Sequence, residues 1–137
     1  MNDQNAPVSA VRWTDAGLRL LDQRRLPEEE SYLQFDDAGA VAAAIRDMVV
    51  RGAPAIGITA AYGVVLAARR HVMESPQEWQ TGVLQDIQVL AAARPTAVNL
   101  IWALQRMRRC LATAGDRPAA ALLEEARRIH AGDIAAN

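Results

Sequence analysis

Residues 49–65 read VVRGAPAIGITAAYGVV, and this stretch decides the fold. Proline suits the first turn of a helix, where an N–H has no intrahelical partner and the fixed φ is already helical. From Pro54 the run stays apolar for the length of a helix, with Thr59 and Tyr62 as its polar side chains. The spacing therefore predicts a helix from Pro54 to about Arg70. Gly57 and Gly63 each cost such a helix about 1 kcal/mol relative to alanine. Together with Ala53, Ala60 and Ala61 they give it a slim surface that lets neighbouring backbones come close. Both glycines are read as packing residues, and Thr59 and Tyr62 as structural.

Upstream, Asp36 or Asp37 can cap a helix that places Val41, Ala44, Ile45 and Met48 on one face. Before it the period shortens. AVRW (Ala10–Trp13) and LRLLDQ (Leu18–Gln23) flank Thr14-Asp15-Ala16-Gly17, a turn with glycine at its end, and read as a hairpin. SYLQF (Ser31–Phe35) alternates as a third strand. The first nine or so residues are polar and expected to be loose.

Downstream, Ser75-Pro76 reads as a cap and proline start, followed by the stripe Trp79, Val83, Ile87 and Leu90 that ends near Ala93. Pro95 is expected to open a fourth helix with Ala97, Leu100, Ile101, Leu104, Met107 and Leu111 facing the core, stopping at Gly115. Asp116 and Pro118 begin a fifth, with Leu122, Ala126 and Ile129 inward and a Glu124–Arg128 pair outside. RRIHAGDIAAN is still helix-like at Asn137, so the chain reads as the N-terminal piece of something longer. The expected architecture is α+β: a small antiparallel β-meander of about three strands, then a bundle of about five helices, forming a single domain over residues 1–137.

Composition narrows the function classes. Half the residues are hydrophobic, mostly alanine and small aliphatics, and the net charge is −1 with acids and bases interspersed. That balance does not favour a nucleic-acid partner. One cysteine, Cys110, excludes an internal disulfide and a cysteine-based metal cluster, and His71 and His130 lack the spacing of a local metal site. No apolar run reaches the roughly 20 residues of a membrane span, and the N-terminus has no signal-like apolar region. A soluble cytoplasmic protein without metal or cofactor is expected.

The chemistry concentrates at Arg51-Gly52-Ala53-Pro54. The first amides of a helix lack acceptors and carry the positive end of its dipole. Gly52 lets a ligand approach the backbone, and Arg51 adds a forked cation beside it. The combination suits an anion, phosphate best of all. The plainer reading is an ordinary helix start with a surface arginine. Arg94-Pro95-Thr96 repeats the construction, and the two arginines could converge on one phosphate.

Other groups read more plainly. Arg106 and Arg109 of RMRR lie opposite the Leu104/Met107/Leu111 face and are expected to be solvated. Cys110 has arginines nearby that could lower its pKa, but no histidine close in sequence to act as a base, and is read as quiet. His71 is placed at a helix end facing free carbonyls, and His130 at a boundary. Asp47 could pair with Arg51 or face a partner domain.

MVVRGAPAIGITAAYGVVLAA (Met48–Ala68) and ARPTAVNLIWALQRM (Ala93–Met107) resemble the N-terminal region of the methylthioribose-1-phosphate isomerase family, and LLDQRRLP (Leu20–Pro27) resembles its opening hairpin. The wider superfamily includes ribose-1,5-bisphosphate isomerases and regulatory subunits of the translation-initiation exchange factor. The resemblance implies conversion of 5-methylthioribose 1-phosphate to methylthioribulose 1-phosphate in methionine salvage, with Arg51, Gly52, Ala53 and Arg94 binding substrate. It also implies a catalytic cysteine and aspartate in a Rossmann-like C-terminal domain outside this chain, and a homodimer when intact. Cys110 does not fall in that downstream segment and is given no catalytic role, so the 137-residue chain alone is expected to be inactive. The alternative is a non-catalytic regulatory or sugar-phosphate-sensing module related to the exchange-factor subunits.

Overall fold

Thr14 and Gly17 pair across Asp15-Ala16, and this short turn sets the register of the sheet. Thr14 Oγ1 accepts from the Ala16 amide and donates to the Gly17 carbonyl, each at 3.2 Å. Glycine is required at position 17: φ is +132°, and an added Cβ would stand 2.3 Å from the Phe35 carbonyl oxygen. In the computed structural model, which describes residues 10–136, β1 (Val11–Thr14), β2 (Gly17–Leu21) and β3 (Tyr32–Phe35) form one antiparallel sheet in that order. Val11, Trp13, Leu18, Leu20, Leu33 and Phe35 share its inner face, and Arg12, Arg19 and Gln34 share the outer one. The expected looseness of the first nine residues lies outside the described residues.

Five helices follow: α1 (Ala38–Arg46), α2 (Ala53–Glu74), α3 (Trp79–Ala93), α4 (Val98–Ala112) and α5 (Pro118–Ala136). The α+β arrangement is the one the periodicity predicts. Helix α2 is the axis of the domain, with every residue from Ala55 to Ala68 buried. Its small residues do what the slim surface implied. A Cβ at Gly57 would stand 2.9 Å from the Asn99 carbonyl oxygen of α4, and one at Gly63 would press on Leu90 and Val41 at 3.2–3.3 Å. The inner face of the sheet meets the same helix, where Trp13 stacks on Tyr62 with centroids 5.4 Å apart.

Neighbours along α2 set the helix directions. Gly82 lies against His71 and Leu90 against Gly63, so α3 runs antiparallel to α2. His130 meets Tyr62 and Val72 lies beside Pro118, while Arg106 pairs with Glu125 and Cys110 approaches Ala121, so α5 runs antiparallel to both α2 and α4. Helices α2 and α4 are therefore parallel, with their N-termini at the same end of the bundle.

Several boundaries differ from the sequence reading. The second strand ends at Leu21 because Asp22 turns to cap a 3-10 turn over Gln23–Arg25, its carboxylate accepting from the Arg24 amide at 3.1 Å. Asp37, rather than Asp36, caps α1, accepting from the Ala40 amide at 2.9 Å. Met48 does not join the buried face of α1. The helix ends at Arg46, and Met48 takes a left-handed conformation (φ 66°). The amides of Met48 and Val49 then reach back to Ile45 and Ala44 in a Schellman closure, which turns Val49 and Val50 inward instead.

Helix α2 continues past Arg70 to Glu74, supported by the Arg70–Glu74 pair at 3.3 Å. Ser75 closes α2 by donating its amide to His71 and does not cap α3, which begins at Trp79. Pro95 does not open α4. It lies in the turn between Arg94, the last cap of α3, and Ala97, the first cap of α4. Helix α4 ends at Ala112, short of Gly115. In α5 Leu122, Ala126 and Ile129 are buried, and Arg128 pairs outside with Glu124 at 3.5 Å as well as with Glu125 at 2.6 Å.

Candidate functional site

The start of α2 leaves backbone amides open at the positive end of a long helix. Gly52 is its N-cap with φ 90°, and no side chain caps the helix. The first helical bond runs from the Ile56 amide to the Gly52 carbonyl at 3.1 Å, and Pro54 has no amide. The amides of Ala53 and Ala55 are thus left at the positive end of a 22-residue helix. A Cβ at Gly52 would meet nothing within 4 Å, so glycine is needed there for its backbone angle and the space before the helix is open.

Behind that opening the chain is held firmly. The Val49 carbonyl accepts the Gln23 amide at 2.9 Å, and the Arg51 amide donates to Gln23 Oε1 at 2.8 Å. Gln23 sits on the 3-10 turn built by Asp22, which is 1% exposed and pairs with Arg24 at 2.9 Å. Hydrogen bonding from Arg24 holds the Asp22 carboxyl below its ordinary range, against the upward push of burial. Sequence reasoning did not single out Gln23. Its partner is 28 residues away, and no local signal connects them.

The start of α4 is built differently. Ala97 caps it without a side-chain bond, and the Ala97 amide donates to the Arg94 carbonyl at 3.0 Å, closing the turn that contains Pro95. Arg94 thus stands half-buried at the junction of α3 and α4. Among the described residues neither Arg51 nor Arg94 makes a side-chain ion pair or hydrogen bond, a state they share with arginines such as Arg12, Arg108 and Arg109, whereas Arg24, Arg46, Arg70, Arg106 and Arg128 are paired.

Both helix starts stand at one end of the bundle, with Gly57, the fifth residue of α2, against Asn99, the second of α4. Between α2, α4 and α5 lies a groove of about 270 Å³ lined by Pro54, Gly57, Asn99, Trp102, Arg106 and Ile129. Arg51 and Arg94 are not part of its wall. The groove was not foreseen, and Arg106 was placed on a solvated face. Its guanidinium in fact lies over the Trp102 ring at 5.6 Å and pairs with Glu125 across the helix interface. Burial pushes the Glu125 carboxyl up, but hydrogen bonds from Arg106 and Arg128 outweigh it and leave the group below its ordinary value.

Cys110, Asp47, His71, His130 and Tyr62 have partners within the fold. Burial raises the Cys110 thiol pKa more than Arg128 and Arg106 lower it, and Sγ points to the Ala121 carbonyl at 3.7 Å. A protonated thiol in that setting is a poor nucleophile. Asp47 pairs with its neighbour Arg46 at 3.1 Å, not with Arg51. His71 does not cap carbonyls: its Nε2 meets Asp86 of α3 at 2.8 Å, over the bare surface of Gly82. His130 Nδ1 is 2.8 Å from the Tyr62 hydroxyl, whose pKa burial raises. Among the described residues no group of three His, Cys, Asp or Glu could hold a metal ion, and no helix is long and apolar enough to cross a membrane.

Comparison with known proteins places this geometry in a lineage. Residues 49–137 match the profile of the Initiation factor 2 subunit family. The chain is 57% identical over 130 residues to a methylthioribose-1-phosphate isomerase of Methylococcus capsulatus, covering 95% of this chain and 37% of that protein. It is 55% identical over 139 residues to one of Nitrosococcus oceani, covering 40% of it. Among solved structures, 5-methylthioribose 1-phosphate isomerase from Pyrococcus horikoshii superposes with a TM-score of 0.81 at 33% identity, covering 88% of this chain and 35% of that one. Subunit delta of translation initiation factor eIF-2B from A. fulgidus gives 0.85 at 32% identity, over 91% and 37%. The chain therefore spans well under half the length of these relatives.

Proposed function

The chain belongs to the Initiation factor 2 subunit family, and from that premise we propose that it forms the substrate-binding N-terminal part of a methylthioribose-1-phosphate isomerase. One observation carries the reading: two parallel helices, α2 and α4, start side by side without side-chain caps, each beside an arginine that no carboxylate neutralises. Such a place suits a phosphate dianion, which takes charge-assisted bonds from guanidinium groups and backbone amides together. Arg51, Gly52 and Ala53 are the residues assigned to it from α2, and Arg94 from the turn before α4.

The substrate class follows from the relatives. They are named for methylthioribose 1-phosphate and are identical to this chain at more than half of the aligned positions. In that substrate the phosphate sits on C1 and holds the sugar ring closed. The ring must open with acid assistance before hydrogen moves between C1 and C2. Gripping the phosphate fixes C1 for that step and contributes through orientation rather than proton transfer. The acid and base belong to the part of the enzyme outside this chain, and Cys110 takes no part. Assembly into a homodimer and a cytoplasmic location belong to the same proposal.

A second reading has its own support in the likeness to eIF-2B subunit delta. It is a non-catalytic module that senses a sugar phosphate. One experiment separates the two. This chain is exchanged for the matching N-terminal segment of the Methylococcus capsulatus relative, and turnover of 5-methylthioribose 1-phosphate is measured. The expected result is turnover within about tenfold of the parent for the chimera and none for the chain alone. A folded chimera that binds the substrate without converting it would favour the sensing module.

A further inference from the structure

We infer that Gln23 is a positioning residue for the anion site, a neutral tether that fixes the backbone of Arg51 while leaving the arginine's charge free for the ligand. This rests on the reading of Arg51 as a phosphate-binding residue. The connection 47–52 between α1 and α2 shows why a tether is needed. The amides of Asp47, Met48 and Val49 are taken up by the end of α1, and the Gly52 carbonyl by the Ile56 amide of α2. Between them, the Val49 carbonyl and the Arg51 amide are both bonded to Gln23, one through its backbone at 2.9 Å and the other through its side chain at 2.8 Å. Gly52 follows directly at φ 90°. A glycine hinge next to an untied residue would leave the direction of Arg51 to chance.

The mount is itself rigid. Asp22 is buried, caps the 3-10 turn, and pairs with Arg24 at 2.9 Å and Arg25 at 3.7 Å, while its amide donates to the Ser31 carbonyl at 2.7 Å. The choice of an amide side chain has a chemical reason. A carboxylate at this place would accept the same bond, but it would put a negative charge beside Arg51 and repel an anion. Asp22 carries a full charge one residue away, and its arginines neutralise it.

The test uses the 137-residue chain, isotope-labelled and titrated with inorganic phosphate, read at the Arg51 and Gly52 amides. Gln23→Met removes the acceptor at nearly constant size. The Arg51 amide should then lose its exchange protection, and phosphate should bind about two- to tenfold more weakly, the worth of one neutral hydrogen bond. Gln23→Glu should keep the Arg51 amide protected and the melting temperature unchanged, yet weaken phosphate binding, most at low salt. If Gln23→Met fails to fold, Gln23→Asn takes its place, a neutral amide one methylene too short to reach the Arg51 amide: a purely structural role would leave its phosphate affinity at the wild-type value, and that result would refute the tether. Arg51→Ala is the control. If it leaves phosphate binding unchanged, the anion site is wrong and the inference goes with it. If Arg51→Ala weakens binding at least tenfold while Gln23→Met changes neither amide protection nor affinity, the site stands and the tether is refuted.

Discussion

The two arginine–proline segments, RGAP at 51–54 and RPTA at 94–97, look alike in sequence and are built differently. In the first, Pro54 lies inside the first turn of α2, and Arg51 precedes the helix through a glycine at φ 90°. In the second, Pro95 lies in a turn, and Arg94 is extended at φ −146° as the cap that ends α3. Proline disfavours helical geometry in the residue before it, so it can stop one helix as readily as it starts another. At RGAP the preceding glycine absorbs the sharp change of direction, and the helix begins at once. RPTA has no glycine, and the chain needs three more residues, Pro95 to Ala97, before α4 begins. One arginine is thus tied through its backbone to a distant glutamine, while the other is held by a local turn.

Removing either cation is the strongest way to test whether this difference matters. Charge-assisted hydrogen bonds are worth roughly 1.5–3 kcal/mol, so Arg51→Ala or Arg94→Ala should lower kcat/KM of the chimeric isomerase by about 10- to 100-fold. If both grip one phosphate, the double substitution should lose less than the product of the two. Strict multiplicativity in steady-state kinetics would mean that the two starts serve separate purposes.

Forcing the two helix starts apart gives the next largest effect. Gly57→Ala places a Cβ 2.9 Å from the Asn99 carbonyl oxygen, a backbone atom that can move only with α4. Overpacking of this kind typically costs about 1–3 kcal/mol, against about 1 kcal/mol gained in helix propensity. The expected result is a lower melting temperature and weaker phosphate binding. Gly63→Ala meets only the side-chain ends of Leu90 and Val41 at 3.2–3.3 Å, which can give way. It should change stability by about 1 kcal/mol or less and leave binding intact. Equal effects in denaturant titrations of the two variants would show that the closeness of α2 and α4 is not what matters.

Acid offers the mildest test, because it reaches one start and not the other. Asp22 supports the Gln23 mount, and its folded pKa lies below the ordinary 3.8. A depressed carboxyl stabilises the fold above the unfolded value, and that contribution disappears as pH falls through the folded one. Asp22→Asn keeps the cap and loses the charge. Its melting temperature should trail the wild type at pH 7, by the equivalent of about 1 kcal/mol or less given the exposed arginine partners. The gap should close as pH falls below 3.8. A gap independent of pH would show that the ion pair does not support the RGAP start.

Much of this was legible one element at a time. The inward stripes of α3 and α5 and the alternation in the strands were readable because burial repeats with the local period. Met48 was misread because the periodicity of α1 runs on past Arg46, while a left-handed residue ends the helix. Arg106 was misread because the helical wheel of α4 says nothing about Glu125 on α5. The start of α4 was misread because proline gives the same signal at both kinds of boundary.

The sequence by itself determined the α+β order of elements, the start of α2 at RGAP and the slim surface of its helix. Those depend on φ preferences, apolar period and side-chain size, which act within a few residues. Only the tertiary structure decided that α2 and α4 start side by side, that Gln23 holds Arg51, and that Arg106 belongs to an interhelical pair. Each joins residues far apart in the chain, and their meeting depends on how whole helices pack around α2.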